Sequence, residues 1–437
     1  MTDQKVMNRW LVVIGAILIQ LCLGAIYAWS VFTKQITLPS ADGGLYGFTT
    51  KQAMGVFSAG LAVFAVFTVI AGRLQVRHGP RPIAVIGGIV LGIGYVLGGL
   101  IGKTFATQLL CIGVIGGAGI GLAYTVPIAV GVKWFPDKKG MVSGLAVAGF
   151  GFGATLWVKL AGSWFGGLLN TTSVFGLPGV QSVFFIYGIV FAALVLIGSI
   201  VMVNPPAGWK PAGWEPPAPS DTPSHATGTA DFTSGQMLGT IQYYSLVLMF
   251  IGSALAGLMV IGVIRLFGID ALQASGARAD VAAAGIAAGT AMAWYAILNG
   301  LGRIVWGTVS DRIGRKWALF LMCLFQGIIM FLFFKMGHTV AGLIVGACII
   351  GFNFGGNFAL FPAATADFFG NKNVGINYGW VFLAYGIAGI VGPQIAGYFK
   401  DAAAGDVNAW VKPFIIAGIS CLVAAAIALT LRAPKKA

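Results

Sequence analysis

Charge is what this sequence has least of. Only 9% of its 437 residues are Asp, Glu, Lys or Arg, against 58% that are hydrophobic, whereas a soluble domain carries about 25% charged residues. So little charge cannot give a chain of this length a water-compatible surface. A soluble globular protein is excluded, and lipid must be the solvent for most of the chain. Acids are scarcer still, 12 against 26 bases, and none falls deep inside an apolar run; Asp367 stands at the end of one. The three histidines, His78, His225 and His338, lie between apolar runs. A built-in carboxylate or histidine proton relay therefore has no place along a membrane path. The five cysteines fall inside apolar runs without metal-ligand spacing and read as small buried hydrophobes. With no nucleophile–base pair, metal cluster or sizeable soluble domain, the expectation is not an enzyme, and neither metal nor cofactor is called for.

What is present is a series of apolar runs near the 20 residues that a membrane helix needs. Twelve are read: about 11–33, 52–72, 82–102, 105–131, 140–168, 181–203, 240–267, 283–308, 317–336, 339–364, 374–397 and 410–431. All must be helices, because lipid cannot satisfy an open backbone. The first run is too long for a signal-peptide core and is expected to stay as an uncleaved helix. One long polar break, 204–239, holds seven prolines and the tetrapeptide PAGW twice, at 206–209 and 211–214. It divides the spans six and six, which predicts two halves, 1–203 and 240–437, joined by a stiff cytoplasmic linker whose tryptophans graze the membrane interface. Thr233 and Gln236 have capping-box spacing ahead of the seventh span. With the N-terminus inside, 16 basic residues fall on the cytoplasmic side, seven on the other and three within spans. That bias puts both termini in the cytoplasm. Topology and anionic lipid headgroups account for the net charge of +14, so no nucleic-acid partner is expected.

The halves repeat. GRLQVRHGPR (72–81) follows the second span and GTVSDRIGRK (307–316) the eighth, both with Gly-x-x-x-x-Arg-x-Gly. WFPDKKGMVS (134–143) aligns with FFGNKNVGIN (368–377) at nearly the same offset. A duplication flanking a midplane cavity is what transporters use for alternating access. Gly307, Asp311, Arg312, Gly314, Arg315 and Lys316 resemble the cytoplasmic loop signature of the major facilitator superfamily. In that superfamily the acidic residue helps latch one conformation against a neighbouring helix end. The resemblance implies an all-α fold of twelve membrane helices in two six-helix repeats, with Gly307, Asp311, Arg312 and Arg315 as a conformational gate. The first copy departs from it, with Val76 at the acidic position.

Within the superfamily, Tyr27 with Trp29, Tyr124 with WFPDK (134–138), AGFGFG (148–153), LNGLGR (298–303), ALFPAATADFFG (359–370) and NYG (377–379) resemble the oxalate:formate antiporter family. That family implies a multi-pass carrier of a bacterial cytoplasmic (inner) membrane.

Three cations stand within spans, and such residues are functional hypotheses by default. Arg303 lies near the cytoplasmic end of the eighth span and leans back toward the membrane centre. Its planar fork suits a carboxylate, and Asn299, four residues earlier, shares its face. The resemblance places the substrate arginine here. Lys159 and Arg265 lie late on spans that end outside and are expected to snorkel. In the antiporter a lysine on the eleventh helix faces the arginine; the aligned residue here is Tyr385. One deep cation matches a monocarboxylate such as lactate, formate, pyruvate or glycolate, since a dianion would bury uncompensated charge. Oxalate or another dicarboxylate, or a non-carboxylate solute, remains the alternative. Exchange for a counter-anion and entry with a proton both stay open. By resemblance, Tyr27, Tyr124, Phe150, Phe354, Phe358 and Phe382 line an aromatic cage. The glycine runs 113–121 and 149–153 sit in apolar spans with no preceding strand, so they predict close helix packing, not dinucleotide loops. Gly117 with Gly121, and Gly140 with Gly144, have the small-xxx-small spacing for it.

Overall fold

A computed structural model describes residues 7–37, 44–162, 164–206, 208–215, 231–402 and 406–434. Among these residues there is no strand, and twelve helices are long and apolar enough to cross a membrane. They are α1 (Arg9–Ala28), α2 (Thr50–His78), α3 (Pro80–Leu100), α4 (Phe105–Trp134), α5 (Lys139–Gly162) and α6 (Gly179–Ser199), then α7 (Ile241–Ala274), α8 (Val281–Ile313), α9 (Arg315–Met336), α10 (Val340–Phe369), α11 (Val374–Ala402) and α12 (Val411–Thr430).

Local chemistry sets where these helices begin and end. Asn8, Thr49, Thr240, Asp280 and Thr339 each accept a first-turn backbone N–H with a side-chain oxygen, satisfying donors that the helix leaves unpaired. Thr233 and Gln236 form the expected capping box, but it opens a short helix, Ser234–Leu238, ahead of α7. Gly79 and Gly314, equivalent in the repeat, take φ of 82° and 85° with ψ of 168° and 157° at the α2–α3 and α8–α9 turns, an essentially glycine-only conformation that costs other residues about 1–3 kcal/mol.

Several helices outrun their apolar stretch. α7 continues to Ala274 and α8 to Ile313, past the expected ends at 267 and 308. Hydropathy marks where lipid contact ends, while a helix ends where its backbone is capped. Gly307, Asp311 and Arg312 therefore stand on the last turns of α8, not in a loop, and Arg315 opens α9.

The lipid-facing ridges are plain on α3, where Ile86, Ile89 and Ile93 are all exposed, an apolar stripe at helical spacing. The repeat reaches into the membrane as well: Pro127 interrupts α4 and Pro362 interrupts α10, each removing one backbone hydrogen bond at a matching position.

The chain forms two compact units. One holds Met1–Asp137, Leu145–Glu215 and Val374–Trp380; the other holds Lys138–Gly144, Pro216–Asn373 and Val381–Ala437. Each sequence half thus lends a helix start to the other half's unit. In the first unit, the α11 start packs on α2, where a β-carbon at Gly72 would overlap Ile376. In the second, the α5 start packs on α8, where one at Gly307 would overlap the Gly140 carbonyl. Trp209 of the first PAGW stands edge-on to Trp134 at 4.9 Å, so a protein ring holds it. Pro216, Pro217, Pro219 and Pro223 fall outside the described residues.

Candidate substrate-binding site and gate

Arg303 is fully buried in the second unit. Ten further residues of α8 follow it, to Ile313, so it lies deeper than the expected span end suggested. Its Nε and Nη2 both donate to the Asn299 side-chain oxygen, at 3.2 and 3.0 Å. Asn299 is fixed in turn by donating to the Gly351 carbonyl of α10 at 3.4 Å. The guanidinium carbon lies 4.2 Å from the centre of the Phe358 ring, a cation–π contact worth about 2 kcal/mol when desolvated. Phe358 meets Phe354 at 5.2 Å and Tyr385 at 5.5 Å, and Tyr385 stacks on Phe382 at 4.9 Å. All six residues expected from the second half therefore share one buried cluster. Glycines let the backbones close around it. A β-carbon at Gly144 would overlap the Arg303 carbonyl, and one at Gly355 the Asn299 carbonyl.

The first unit assembles its own aromatic cluster. Tyr27 sits on a tightened 3₁₀ stretch of α1, Gly24–Ala28, and meets Phe150 of α5 edge-on at 5.0 Å. Phe64 of α2 lies 4.9 Å from Tyr124 and 6.1 Å from Phe150. Gln20, fully buried on α1, donates to the Tyr124 carbonyl at 3.0 Å, just before the Pro127 break. The predicted Tyr27, Tyr124 and Phe150 are brought together.

At the end of α8, Asp311 takes the backbone N–H groups of Gly140 and Met141 at 2.9 and 2.8 Å. It thereby caps the start of α5, where a carboxylate also meets the positive end of the helix dipole. Arg315 bridges Asp311 at 2.8 Å and Asp367 at 2.7 Å, and Lys139 reaches Asp367 at 2.9 Å. Arg315 also donates to Ser310.

A sequence profile described as Major Facilitator Superfamily matches residues 9–288 and 247–437. The chain belongs to the major facilitator superfamily. It is a multi-pass membrane transporter, not an enzyme. It is 30% identical over 387 residues to the "uncharacterized MFS-type transporter YhjX" of Escherichia coli, covering 88% of this chain and 86% of that one. It is 26% identical to the oxalate:formate antiporter of Oxalobacter formigenes, over 96% of this chain and 91% of that one. It is 25% identical to apicoplast pyruvate carrier 1 of Toxoplasma gondii, over 86% and 81%.

Within this facilitator, some predicted residues stand apart. Arg312 is exposed, and the ion pairs to Asp311 and Asp367 at the α8–α9 turn are made by Arg315. Lys159 is half-buried in the last turn of α5, while Arg265 is exposed with nine helical residues still to follow. Asp270, expected beyond the seventh span, is on α7 and accepts from the Trp410 indole at 2.9 Å. Three participants were missed. Tyr295 lies one turn before Asn299 on the same face and donates to Gly257 at 3.1 Å; its i, i+4, i+8 spacing with Asn299 and Arg303 was the available signal. Phe64 and Gln20 carried no such signal, because the chain positions they meet are remote in sequence. The small-xxx-small pairs do meet backbone: Gly117 and Gly121 lie against Gly60 and Phe64 of α2, Gly140 and Gly144 against Gly307 and Arg303 of α8.

Proposed function

We propose that this facilitator carries a small monocarboxylate such as lactate, formate, pyruvate or glycolate, by alternating access, in exchange for another anion or together with a proton. The observation that carries the reading is a fully buried guanidinium whose fork is pre-set by Asn299 and whose face is supported by Phe358. Burying such a charge costs several kcal/mol unless hydrogen bonds and an opposite charge offset it, and a carboxylate supplies both. Tyr385 stands in the same cluster at the position where the antiporter resemblance puts a second cation, which favours one negative charge over two. Two relatives, an oxalate:formate antiporter and a pyruvate carrier, support a small carboxylate cargo. Tyr27, Tyr124 and Phe150 are assigned as the first unit's substrate contacts on the resemblance. Gly307, Asp311 and Arg315, with Arg312 beside them, are assigned as a latch. The basic-residue bias supports both termini, and the 204–239 linker between the halves 1–203 and 240–437, on the cytoplasmic side.

The test is uptake of labelled lactate and formate by purified protein in liposomes, with unlabelled mono- and dicarboxylates as competitors. Hydrogen bonds to a charged group contribute about 1.5–3 kcal/mol each, so Arg303→Gln should lower uptake at least a hundredfold. Wild-type uptake by that variant would remove Arg303 from the site, and oxalate outcompeting lactate would assign the dianion instead.

A further inference from the structure

The first two residues of α1 and a short segment ahead of α7 make a similar contact in their separate units. In the first, Arg9 pairs with Asp137 at 2.9 Å and lies over the Phe135 ring at 4.3 Å. Trp10 meets that ring edge-on at 5.1 Å. Phe135 and Asp137 form the turn between α4 and α5. In the second, the Asp231 carboxylate accepts the Lys372 N–H at 3.0 Å. The Phe232 N–H donates to the Phe369 carbonyl at 2.9 Å, and the Phe232 carbonyl accepts from the Asn373 side chain at 2.9 Å. The Phe232 ring is buried and meets Phe369 edge-on at 5.6 Å. These partners form the turn between α10 and α11. Phe135 and Phe369 occupy equivalent positions of the repeat. One unit uses the opening residues of α1 and the other the residues ahead of α7, and each places one ring on the equivalent phenylalanine and one charged side chain on the equivalent turn. The chemistry differs, an ion pair in one and backbone capping in the other; the placement does not.

Both turns lead into the ion cluster. Lys139 stands two residues past Asp137, and Asp367 two residues before Phe369, and these two pair at 2.9 Å. Gly370 (φ 83°) leaves no room for a β-carbon beside Asp231, so the α10 end and the linker end are seated as one piece. The α10 carbonyl at Phe369 is among those a helix cannot satisfy internally, and the linker's own N–H satisfies it.

We propose that Arg9–Trp10 and Asp231–Phe232 are positioning clamps, each fixing the turn that presents one partner of the Lys139–Asp367 pair and so setting how firmly the latch holds. This rests on reading Asp311, Arg315 and Asp367 as a latch. The clamp contacts described run to the two turns, which makes them a route by which the start of α1 and the linker act on conformational balance through the turns.

The experiment is amide hydrogen exchange, by mass spectrometry, on the full chain in lipid nanodiscs, followed at Gly140 and Met141, whose N–H groups Asp311 holds. Asp231→Ala, Phe232→Ala and Arg9→Gln should each speed exchange there about fivefold or more, the population change for a loss the size of one hydrogen bond. Asp231→Asn and Phe232→Leu, which keep an acceptor and a buried side chain, should restore most of the protection and guard against misfolding of the alanine forms. Lactate affinity should stay within about twofold, the range left when the binding groups are untouched. Faster exchange confined to 231–233 and 370–373, with Gly140 and Met141 unchanged, would make the contacts local caps and overturn the proposal. Asp311→Ala is the reference. If it speeds Gly140 and Met141 but the clamp variants do not, only the clamps fail. If it does not, the latch reading fails and the clamps fall with it.

Discussion

Replacing Tyr385 by lysine would reverse the cargo preference if one deep cation selects a monocarboxylate. The Arg303 guanidinium carbon lies 4.2 Å from the Phe358 ring centre, and that ring 5.5 Å from the Tyr385 ring, so the two side chains are no more than about 10 Å apart. At an effective dielectric of 20, two like charges at that distance repel by at least about 1.7 kcal/mol. A monocarboxylate on Arg303 relieves part of this and leaves the new ammonium buried without a partner. A dianion would bring its second carboxylate to the ammonium, where a contact near 4 Å is worth about 4 kcal/mol at the same dielectric. After discounting for desolvation, a net swing of about 2–3 kcal/mol is a change of roughly 30- to 150-fold in the ratio of oxalate to lactate affinity. Counterflow from preloaded liposomes, with both acids as competitors, reads that ratio directly. Folding is checked by elution as a single species and by a thermal transition near that of the parent. A folded Tyr385→Lys protein that still prefers lactate by the parent ratio would refute charge counting as the basis of selectivity.

Two further outcomes are expected. Gly144→Val should abolish uptake, because its side chain must displace the Arg303 carbonyl at an overpacking cost of about 1–3 kcal/mol; uptake at the parent level would show that α5 and α8 do not need this approach. Asp367→Asn leaves Lys139 and Arg315 without their shared carboxylate, which is only 9% exposed, so stability should fall by about 3–5 kcal/mol. Thermal unfolding would show it, and a triple change of Lys139, Arg315 and Asp367 to Met, Met and Leu should recover most of the loss.

How much of this was legible in the sequence depends on the range of the signal. The twelve helices and the linker were written in local hydropathy. The Arg303–Asn299 pair was legible because both stand on one helix at i, i+4, and the structure closes the bond that this spacing allows. Tyr385 entered only through a family alignment, since nothing in its own sequence surroundings marks it as near Arg303; its ring meets Phe382 on its own helix and Phe358 on α10, while Arg303 stands on a third, α8. The ends of α7 and α8 were misjudged for a different reason. Apolarity decays before the helix does, and the caps that stop it, such as Gly314, act on the backbone without regard to lipid. Lys139 and Asp367 are 228 residues apart, and no period or spacing connects them. The exchanged helix starts were equally invisible, because a duplication shows that two halves are alike and not which pieces each lends.

The duplication also hides an inequality. In the second unit the α5 start is held by a carboxylate on two N–H groups, backed by three ion pairs around Arg315 and Asp367. The equivalent positions in the first half are Val76, Pro80 and Lys133, so no such network can form there. The first unit holds its α11 start by the glycine contact at Gly72 and by Arg73 over Trp380 at 5.3 Å. An exposed cation–π contact contributes about 0.5–1 kcal/mol, well below the several kcal/mol lost on breaking a buried pair. The Lys139 partner further ties the network to the turn that Arg9 steadies. Opening the polar contact of the second unit therefore costs more than opening the packed contact of the first, and the two helix starts, alike in sequence position, are held with unequal strength.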